Sequence, residues 1–237
     1  MSQVISEVQT HLRSWQQVAA LIDHTLFKPD ASHDQIVKLS EEAISFGFAA
    51  VCVNPAWIAL VGSIVRGTGV RVATTIGFPL GANHTSVKRF EAHEAVRMGA
   101  HELDMVMNIG ALKSGDRKLV QSEIEAVVEV AHSGGAAVKV ILETPLLTLE
   151  EKILSCQLCL AAKADFVKTA TGFMSAATAD DVALLRGVVG DQAGVKAAGG
   201  ICTAAAANKM LDAGADRIGT SSSLAIMKEL GAPDKSI

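Results

Sequence analysis

Short apolar runs alternate with amphipathic segments along almost the whole chain. Runs of this kind are typical of strands that are buried on both faces of a parallel sheet. The predicted strands are 21–25, 49–54, 70–77, 101–108, 137–143, 164–170, 194–199 and 216–220. The predicted helices are 33–46, 55–66, 84–99, 117–133, 148–163, 178–190 and 203–213, with a short one after Ser221 and an additional one at about 6–20. Eight strands, each followed by a helix, predict an α/β fold of the (β/α)8 barrel type with an additional N-terminal helix.

An open, doubly wound sheet is the alternative fold for this order of elements. Two features favour a closed barrel: none of the runs has the polar pattern of an exposed edge strand, and no G-x-G-x-x-G motif follows the first run. The 237 residues fit one barrel, so we expect a single domain over 1–237.

Alternation of side chains along each strand adds a second prediction. Side chains at successive positions point to opposite faces. In 101–108 and 137–143 one set is purely apolar and is expected to face the helices, while the mixed set is expected to point inward. The polar side chains predicted to point into the barrel are Asp23, Thr25, Glu102, Asp104, Asn108, Lys139, Glu143, Lys168 and Lys196. So many charges are unusual for a purely structural core.

Two of the inward lysines, Lys168 and Lys196, lie one strand-helix unit apart. A buried ammonium loses its hydration, so such a lysine usually has a charged partner or a chemical role. If the two are close, each is expected to make the other easier to deprotonate. A neutral lysine can attack a carbonyl and form a Schiff base. The alternative, which the spacing leaves open, is that one or both simply pair with carboxylates such as Asp104.

Asp104 is the acid/base candidate, because it lies on the fourth strand toward the end at which such barrels place their active sites. The ends of the last two strands carry a separate signal. Glycines and hydroxyls in AGG at 198–200 and GTSS at 219–222 are typical of a phosphate site, to which Gly172 can add an amide. Two tight turns and a helix cap would explain the same residues.

Composition narrows the choice of partners. The net charge is −4 and no dense basic stripe is present, so we expect no nucleic-acid or membrane partner.

Cys156 and Cys159 form a lone C-x-x-C inside a predicted helix, which favours helix packing over a zinc or redox site. His24, His84 and His93 form no recognisable ligand set, so no metal is expected. The polar first fifteen residues and the free thiols lead us to expect no secretory signal and a cytoplasmic location.

With these residues collected, the chain resembles the deoxyribose-phosphate aldolases, which are class I aldolases with a (β/α)8 fold. The resemblance covers about residues 21 to 223 in order and is specific as a set. The matching segments are LIDHTLFKPDAS, AVCVNPAW, TTIGFPLG, ELDMVMNIGALKSGD, VKVILET, DFVKTATGF, VKAAGGI and RIGTSSS.

The resemblance implies a role for each matching residue. Lys168 corresponds to the Schiff-base lysine, Lys196 to the lysine that lowers its pKa, and Asp104 to the aspartate of a proton relay. The residues that match substrate-binding positions are Asp23, Cys52, Thr171, Gly172, Gly199, Gly200, Gly219, Ser221 and Ser222. Of these, the first two match positions that line the pocket, and the six from Gly172 onward match the phosphate site.

The implied reaction is the reversible cleavage of 2-deoxy-D-ribose 5-phosphate into D-glyceraldehyde 3-phosphate and acetaldehyde, in deoxyribose phosphate catabolism. It needs no metal or organic cofactor, and the implied partners are the sugar phosphate, the aldehydes and further copies of the chain in a homodimer or larger homo-oligomer.

Two departures from the resemblance are visible. Phe173 stands where some members carry a lysine, and the chain contains no tyrosine, whereas some members end in one that reaches the active site. Two alternative functions remain at this point: a lysine-dependent aldolase with another donor, and a non-catalytic protein that binds sugar phosphates. Retention of Lys168, Lys196 and Asp104 argues against the second.

Overall fold

The computed structural model describes residues 13–174 and 176–235, and its centre is a closed barrel of parallel strands. Within these residues each strand pairs with the next in chain order, and the eighth pairs with the first. The strands are β1 (Ile22–Leu26), β2 (Ala50–Val53), β3 (Arg71–Ile76), β4 (Glu102–Val106), β5 (Ala137–Ile141), β6 (Phe166–Lys168), β7 (Gly194–Ala198) and β8 (Arg217–Thr220). The predicted (β/α)8 fold is confirmed, and closure excludes the open sheet.

Helices surround the barrel. They are α1 (Trp15–Ala19), α2 (His33–Phe46), α3 (Ile58–Val65), α4 (Thr85–Arg97), α5 (Ile109–Lys113), α6 (Arg117–Ser133), α7 (Leu149–Ala161), α8 (Ala179–Val189), α9 (Ala204–Asp212) and α10 (Ser223–Glu229). The predicted bounds of α2 and α6 are met, whereas the short α5 was not predicted. Helix α1 confirms the end of the additional helix expected at about 6–20, of which 6–12 lie outside the described residues.

Helix ends follow local chemistry. The Ser32 hydroxyl accepts from the Gln35 amide at 3.3 Å, and the Gln35 side chain accepts from the Ser32 amide at 2.8 Å, which together form a capping box at the start of α2. Gly47 ends this helix with φ +69°, a left-handed conformation that suits glycine. In the segment predicted as a helix at 55–66, Pro55–Trp57 instead forms a 3₁₀ turn before α3.

The apolar core lies between the strands and the helices. Leu103, Met105 and Met107 are fully buried there, as side-chain alternation predicted. Cys156 and Cys159 are buried in the same core as free thiols, which confirms their assignment to helix packing. The barrel interior is therefore left to the other set of side chains.

Among the helices that the structure describes, none is long and apolar enough to cross a membrane.

Candidate active site

Ionisable side chains from most of the strands meet inside the barrel. Strand register explains the meeting, since Asp104 is the Cα partner of Lys139 and Lys168 is the partner of Lys196. Residues in register on adjacent parallel strands point to the same face. All members of this set, which we call the charge cluster, are buried except the partly buried arginine: Asp23, Glu102, Asp104, Lys139, Lys168, Lys196 and Arg217.

Asp104 links three lysines. Its Oδ2 accepts from Lys168 Nζ at 2.7 Å and from Lys196 Nζ at 2.6 Å. Its Oδ1 accepts from Lys139 Nζ at 3.0 Å. The proximity expected for Lys168 and Lys196 is thus observed, and so is the carboxylate pairing that had remained as the alternative.

The deeper part of the charge cluster is held by Asp23 and Glu102. Asp23 accepts from Lys196 through Oδ2 and from Arg217 through Oδ1. Glu102 accepts from Lys139 through Oε2, and from Arg217 Nη2 through Oε1 at 3.0 Å. Each charged side chain of the cluster therefore has at least one partner of opposite charge.

The pKa values of the two adjacent lysines shift in opposite directions. Burial lowers the pKa of Lys168, the Asp104 carboxylate opposes this change, and the Lys196 ammonium adds to it. Burial would also lower the pKa of Lys196, but the carboxylates of Asp104 and Asp23 raise it above its ordinary value. The pKa of Lys196 therefore rises although a second lysine lies beside it, because Lys196 has two carboxylate partners.

A cavity of about 320 Å³ opens at the carboxyl ends of the strands, directly above the charge cluster. Lys168 is the member of the cluster that lines it, at 2 % exposure, while Asp104 and Lys196 lie beneath at 0 %. The cavity is lined by Thr25, Leu26, Phe27, Lys28, Pro29, Lys168, Thr171, Gly172, Phe173, Ala198, Gly199, Gly200, Ile201, Cys202, Gly219, Thr220 and Ser221. Lys168 is consequently the buried amine that a bound molecule can reach.

Glycines form one side of this cavity. Gly172, Gly199 and Gly200 have φ values of +86°, +106° and +72°, which favour glycine over residues with a side chain. Gly219 has a further function, because a Cβ there would lie 3.0 Å from Lys196 Cε. The same residue thus opens the cavity wall and leaves room for the lysine below it.

Three residues expected to bind substrate do not line the cavity. Asp23 and Cys52 are fully buried beneath it, and Cys52 Sγ lies 4.0 Å from Asp104 Oδ2. Burial, reinforced by the Asp104 carboxylate, raises the pKa of the Cys52 thiol to about 12. Ser222 faces a neighbouring groove, and its amide donates to Thr220 Oγ1 at 2.9 Å. Sequence position alone did not reveal how deep these side chains lie.

Comparison with known proteins decides the family. A model described as DeoC/LacD family aldolase matches residues 17–229. This chain belongs to the DeoC/LacD aldolase family. It is 55% identical over 212 residues to the deoxyribose-phosphate aldolase of Geobacillus sp. (strain WCH70), covering 89% of this chain and 95% of that protein. It is 56% identical over 214 residues to that of Thermococcus gammatolerans, with 89% and 95% covered.

Solved structures give the same family. The chain is similar to the deoxyribose phosphate aldolase from Aeropyrum pernix, described as a unique tetrameric structure, with a TM-score of 0.86, 34% identity and 92% of each chain covered. It is also similar to QR15, an aldolase, with a TM-score of 0.85, 43% identity, and 90% of this chain and 95% of that one covered. The protein is therefore an aldolase of the lyase class.

Several polar residues of this aldolase site were not predicted as site residues. Lys139 and Glu102 were expected to point inward, but side-chain alternation gave no indication that Lys139 contacts both Glu102 and Asp104. Arg217 starts its strand, where a short run carries little periodic signal. Lys28 and Thr220 line the cavity, and the only signal for them was their position just beyond or at a strand end.

Proposed function

We propose that this member of the family catalyses the reversible cleavage of 2-deoxy-D-ribose 5-phosphate into D-glyceraldehyde 3-phosphate and acetaldehyde, through a Schiff base on Lys168. The observation that carries the proposal is the position of Lys168 Nζ, at the floor of the cavity and 2.7 Å from the Asp104 oxygen that it shares with Lys196. The names of the curated relatives support the choice of substrate.

Imine formation needs the neutral form of Lys168. An unperturbed lysine has a pKa of about 10.4 and is almost entirely charged at neutral pH. Burial lowers the pKa of Lys168 and so increases the neutral fraction. The neutral amine attacks C1 of the open-chain aldehyde, and the adduct takes up one proton and loses water, which leaves a protonated imine.

Carbon–carbon cleavage follows from the charge of that imine. The electron pair of the C2–C3 bond moves toward the imine nitrogen as the C3 hydroxyl loses its proton, which gives an enamine on Lys168 and releases D-glyceraldehyde 3-phosphate. Asp104 is the group placed to receive and return protons, since its carboxylate lies directly beneath the amine, with the Lys196 ammonium beside it. Protonation of the enamine at C2 and hydrolysis of the imine then release acetaldehyde.

The phosphate is assigned to the glycine side of the cavity. Backbone amides near Gly172, Gly199 and Gly200 approach a ligand without obstruction by side chains, and the Ser221 hydroxyl adds a donor. An anion held there would keep the aldehyde end of the sugar close to Lys168. The contribution of this side is mainly positioning.

Reductive trapping tests the proposed function. With acetaldehyde and borohydride, we expect one two-carbon group on Lys168, located by peptide mass mapping, because reduction fixes the imine as a secondary amine. The variant Lys168→Leu should keep its fold, as circular dichroism would show, and lose turnover of 2-deoxy-D-ribose 5-phosphate. Lys209→Leu, an exposed lysine on α9, is the matched control and should keep both trapping and turnover.

Two results would contradict this assignment: a stable adduct only at another lysine, or near-normal turnover by Lys168→Leu. Trapping with pyruvate or dihydroxyacetone phosphate in preference to acetaldehyde would instead indicate an aldolase with another donor. Failure of every carbonyl donor, with sugar phosphate binding retained, would indicate a non-catalytic binding protein.

Assembly and location belong to the same proposal. We propose a homodimer or larger homo-oligomer, supported by the tetrameric relative from Aeropyrum pernix and by exposed apolar side chains such as Leu80 and Phe90. A cytoplasmic location is supported by the free state of all four cysteines. Light scattering of the purified protein tests the first point, and cell fractionation tests the second.

A further inference from the structure

Lys139 has no part in the reaction described above, yet its position is unusual. It is fully buried at 0 % exposure on β5, and it does not line the cavity. Its amine donates to Glu102 and to Asp104 Oδ1 and lies 3.5 Å from Asp23 Oδ2. A single lysine therefore contacts all three carboxylates of the charge cluster.

The charges of the cluster balance in only one protonation state of Lys168. Asp23, Glu102 and Asp104 supply three negative charges, and Lys139, Lys196 and Arg217 supply three positive charges. The sum is zero when Lys168 is an uncharged amine and +1 when it is an ammonium. Because net charge is costly to bury, the balanced state is favoured.

Among the described residues, the other ionisable groups near the interior form no ion pair with the charge cluster, apart from Arg71. Strand β2 contributes Cys52, whose thiol is neutral because its pKa is raised to about 12. Strand β3 contributes Arg71, which is largely exposed and 3.8 Å from Glu102, so solvent screens it. Glu143, beyond β5, accepts from the Thr171 amide at 3.2 Å, and Lys28 stands at the cavity mouth.

We propose that Lys139 is a positioning residue of this site, which holds Asp104 by the oxygen opposite Lys168 and supplies the positive charge that lets the cluster be neutral with Lys168 as a free amine. This inference rests on the proposed function, because it assumes that Lys168 is the reacting amine. It assigns a role to a side chain that never touches substrate.

The electrostatics of Asp104 support this role. Burial would raise the pKa of Asp104, and of the neighbours that lower it Lys139 acts most strongly, ahead of Lys168 and Lys196. Without Lys139, the negative charge of Asp104 would be neutralised mainly by the other two lysines. Lys168 would then be held as an ammonium.

The test is the pH at which Lys168 becomes reactive, measured as the rate of cyanoborohydride trapping of acetaldehyde on Lys168. This readout involves no phosphate group that titrates. The midpoint is the pH at which the trapping rate is half of its maximum. In Lys139→Met the cluster lacks one positive charge, so this midpoint should move to higher pH by about one unit or more, the size of shift that a nearby charge produces. Lys113→Met, which removes a surface lysine paired with Glu151, is the matched control and should leave the midpoint unchanged.

The opposite change supplies a second arm. Glu102→Gln removes one negative charge, so its midpoint should move to lower pH. The double variant Lys139→Met/Glu102→Gln restores the balance and should return the midpoint toward that of the wild type. If Lys139→Met does not fold, Glu102→Gln and the double variant still test whether the midpoint moves in the direction that the charge balance predicts.

A purely structural role for Lys139 predicts a different result. Such variants would unfold at lower urea concentration, but their folded fraction would be trapped with the midpoint of the wild type, which would overturn the inference. Shifts of the same sign in both single variants would also overturn it. If wild-type Lys168 is not trapped at all, the proposed function fails together with this inference, whereas normal trapping with unshifted midpoints removes only the role of Lys139.

Discussion

At the scale of single residues, partners rather than residue type decide protonation. Lys168 and Lys196 are both buried lysines in register on adjacent strands. Lys168 contacts one carboxylate, that of Asp104, and burial prevails, so its pKa falls. Lys196 contacts Asp104 and Asp23, and its pKa rises. One additional carboxylate therefore separates a candidate nucleophile from a permanent cation.

Phe173 provides a prediction at this scale. Its ring lies at the cavity edge, 56 % exposed and 5.3 Å from the ring of Phe78, close to the glycines assigned to phosphate. Phe173→Lys would add a cation there, so we expect a preference for 2-deoxyribose 5-phosphate over unphosphorylated 2-deoxyribose that is about tenfold greater, corresponding to ~1.4 kcal/mol for one charge-assisted contact. The ratio of kcat/KM for the two substrates measures it.

The matched control is Phe173→Leu, which changes ring packing without adding charge and should leave the preference almost unchanged. Because solvent screens an exposed cation, the gain in Phe173→Lys should decrease at high salt. An equal change of the substrate preference in both variants would show that the effect is steric. It would contradict the assignment of the phosphate to this side of the cavity.

At the scale of elements, a buried ion pair fixes the outer helices to the barrel. Lys88 on α4 donates to Glu123 on α6, to the carbonyl of Gly81 at 2.7 Å and to the carbonyl of Val106 at 2.8 Å. A Cβ at Gly77 would lie 2.7 Å from Lys88 Cε, so the loop approaches this closely only because it has glycine there. The pair thus joins two helices, a strand end and the 77–81 loop.

Lys88→Met should destabilise the fold by about 3–5 kcal/mol, because Glu123 would stay buried without its charged partner. Urea unfolding followed by circular dichroism measures the loss. The double variant Lys88→Met/Glu123→Leu should recover most of it, since no unpaired charge remains. Lys118→Met, at an exposed position of α6, is the control. Equal losses in the single and double variants would show that packing, not the ion pair, stabilises this junction.

At the scale of the whole molecule, the interior charges link stability to pH. Burial alone would raise the pKa of Asp23, but three cationic neighbours, Lys196 foremost, hold it well below its ordinary value. A carboxyl whose folded pKa is lowered stabilises the fold at pH above its unfolded pKa of about 3.9. This contribution is lost as the pH falls below that value, toward the folded pKa.

We therefore expect the stability difference between wild type and Asp23→Asn to be constant from neutral pH down to about pH 4 and to decrease below it, because a protonated aspartate resembles asparagine in charge. Reversible urea unfolding at a series of pH values measures the difference. Asp34→Asn, at an exposed position of α2, should show no comparable effect. A difference that stays constant down to pH 2 would show that Asp23 stabilises the fold through its shape and not its charge.

Local patterns in the sequence were sufficient for the fold. Capping signals such as Ser32 with Gln35 define where α2 begins, and Gly47 defines where it ends. Alternation in β4 separated the helix-facing Leu103, Met105 and Met107 from the inward residues. The short α5 was missed, because five residues give too little periodicity to predict a helix.

The sequence by itself determined the barrel, the inward direction of its lysines and the resemblance to an aldolase family, because strand period and motif order are encoded locally. Only the tertiary structure decided which of the two lysines has its pKa raised, since that depends on Asp23, which β1 brings beside β8 when the barrel closes. It likewise decided that Asp23 and Cys52 lie beneath the cavity and that Lys139 joins three carboxylates. Depth and charge balance are properties of the closed barrel, and no single strand contains them.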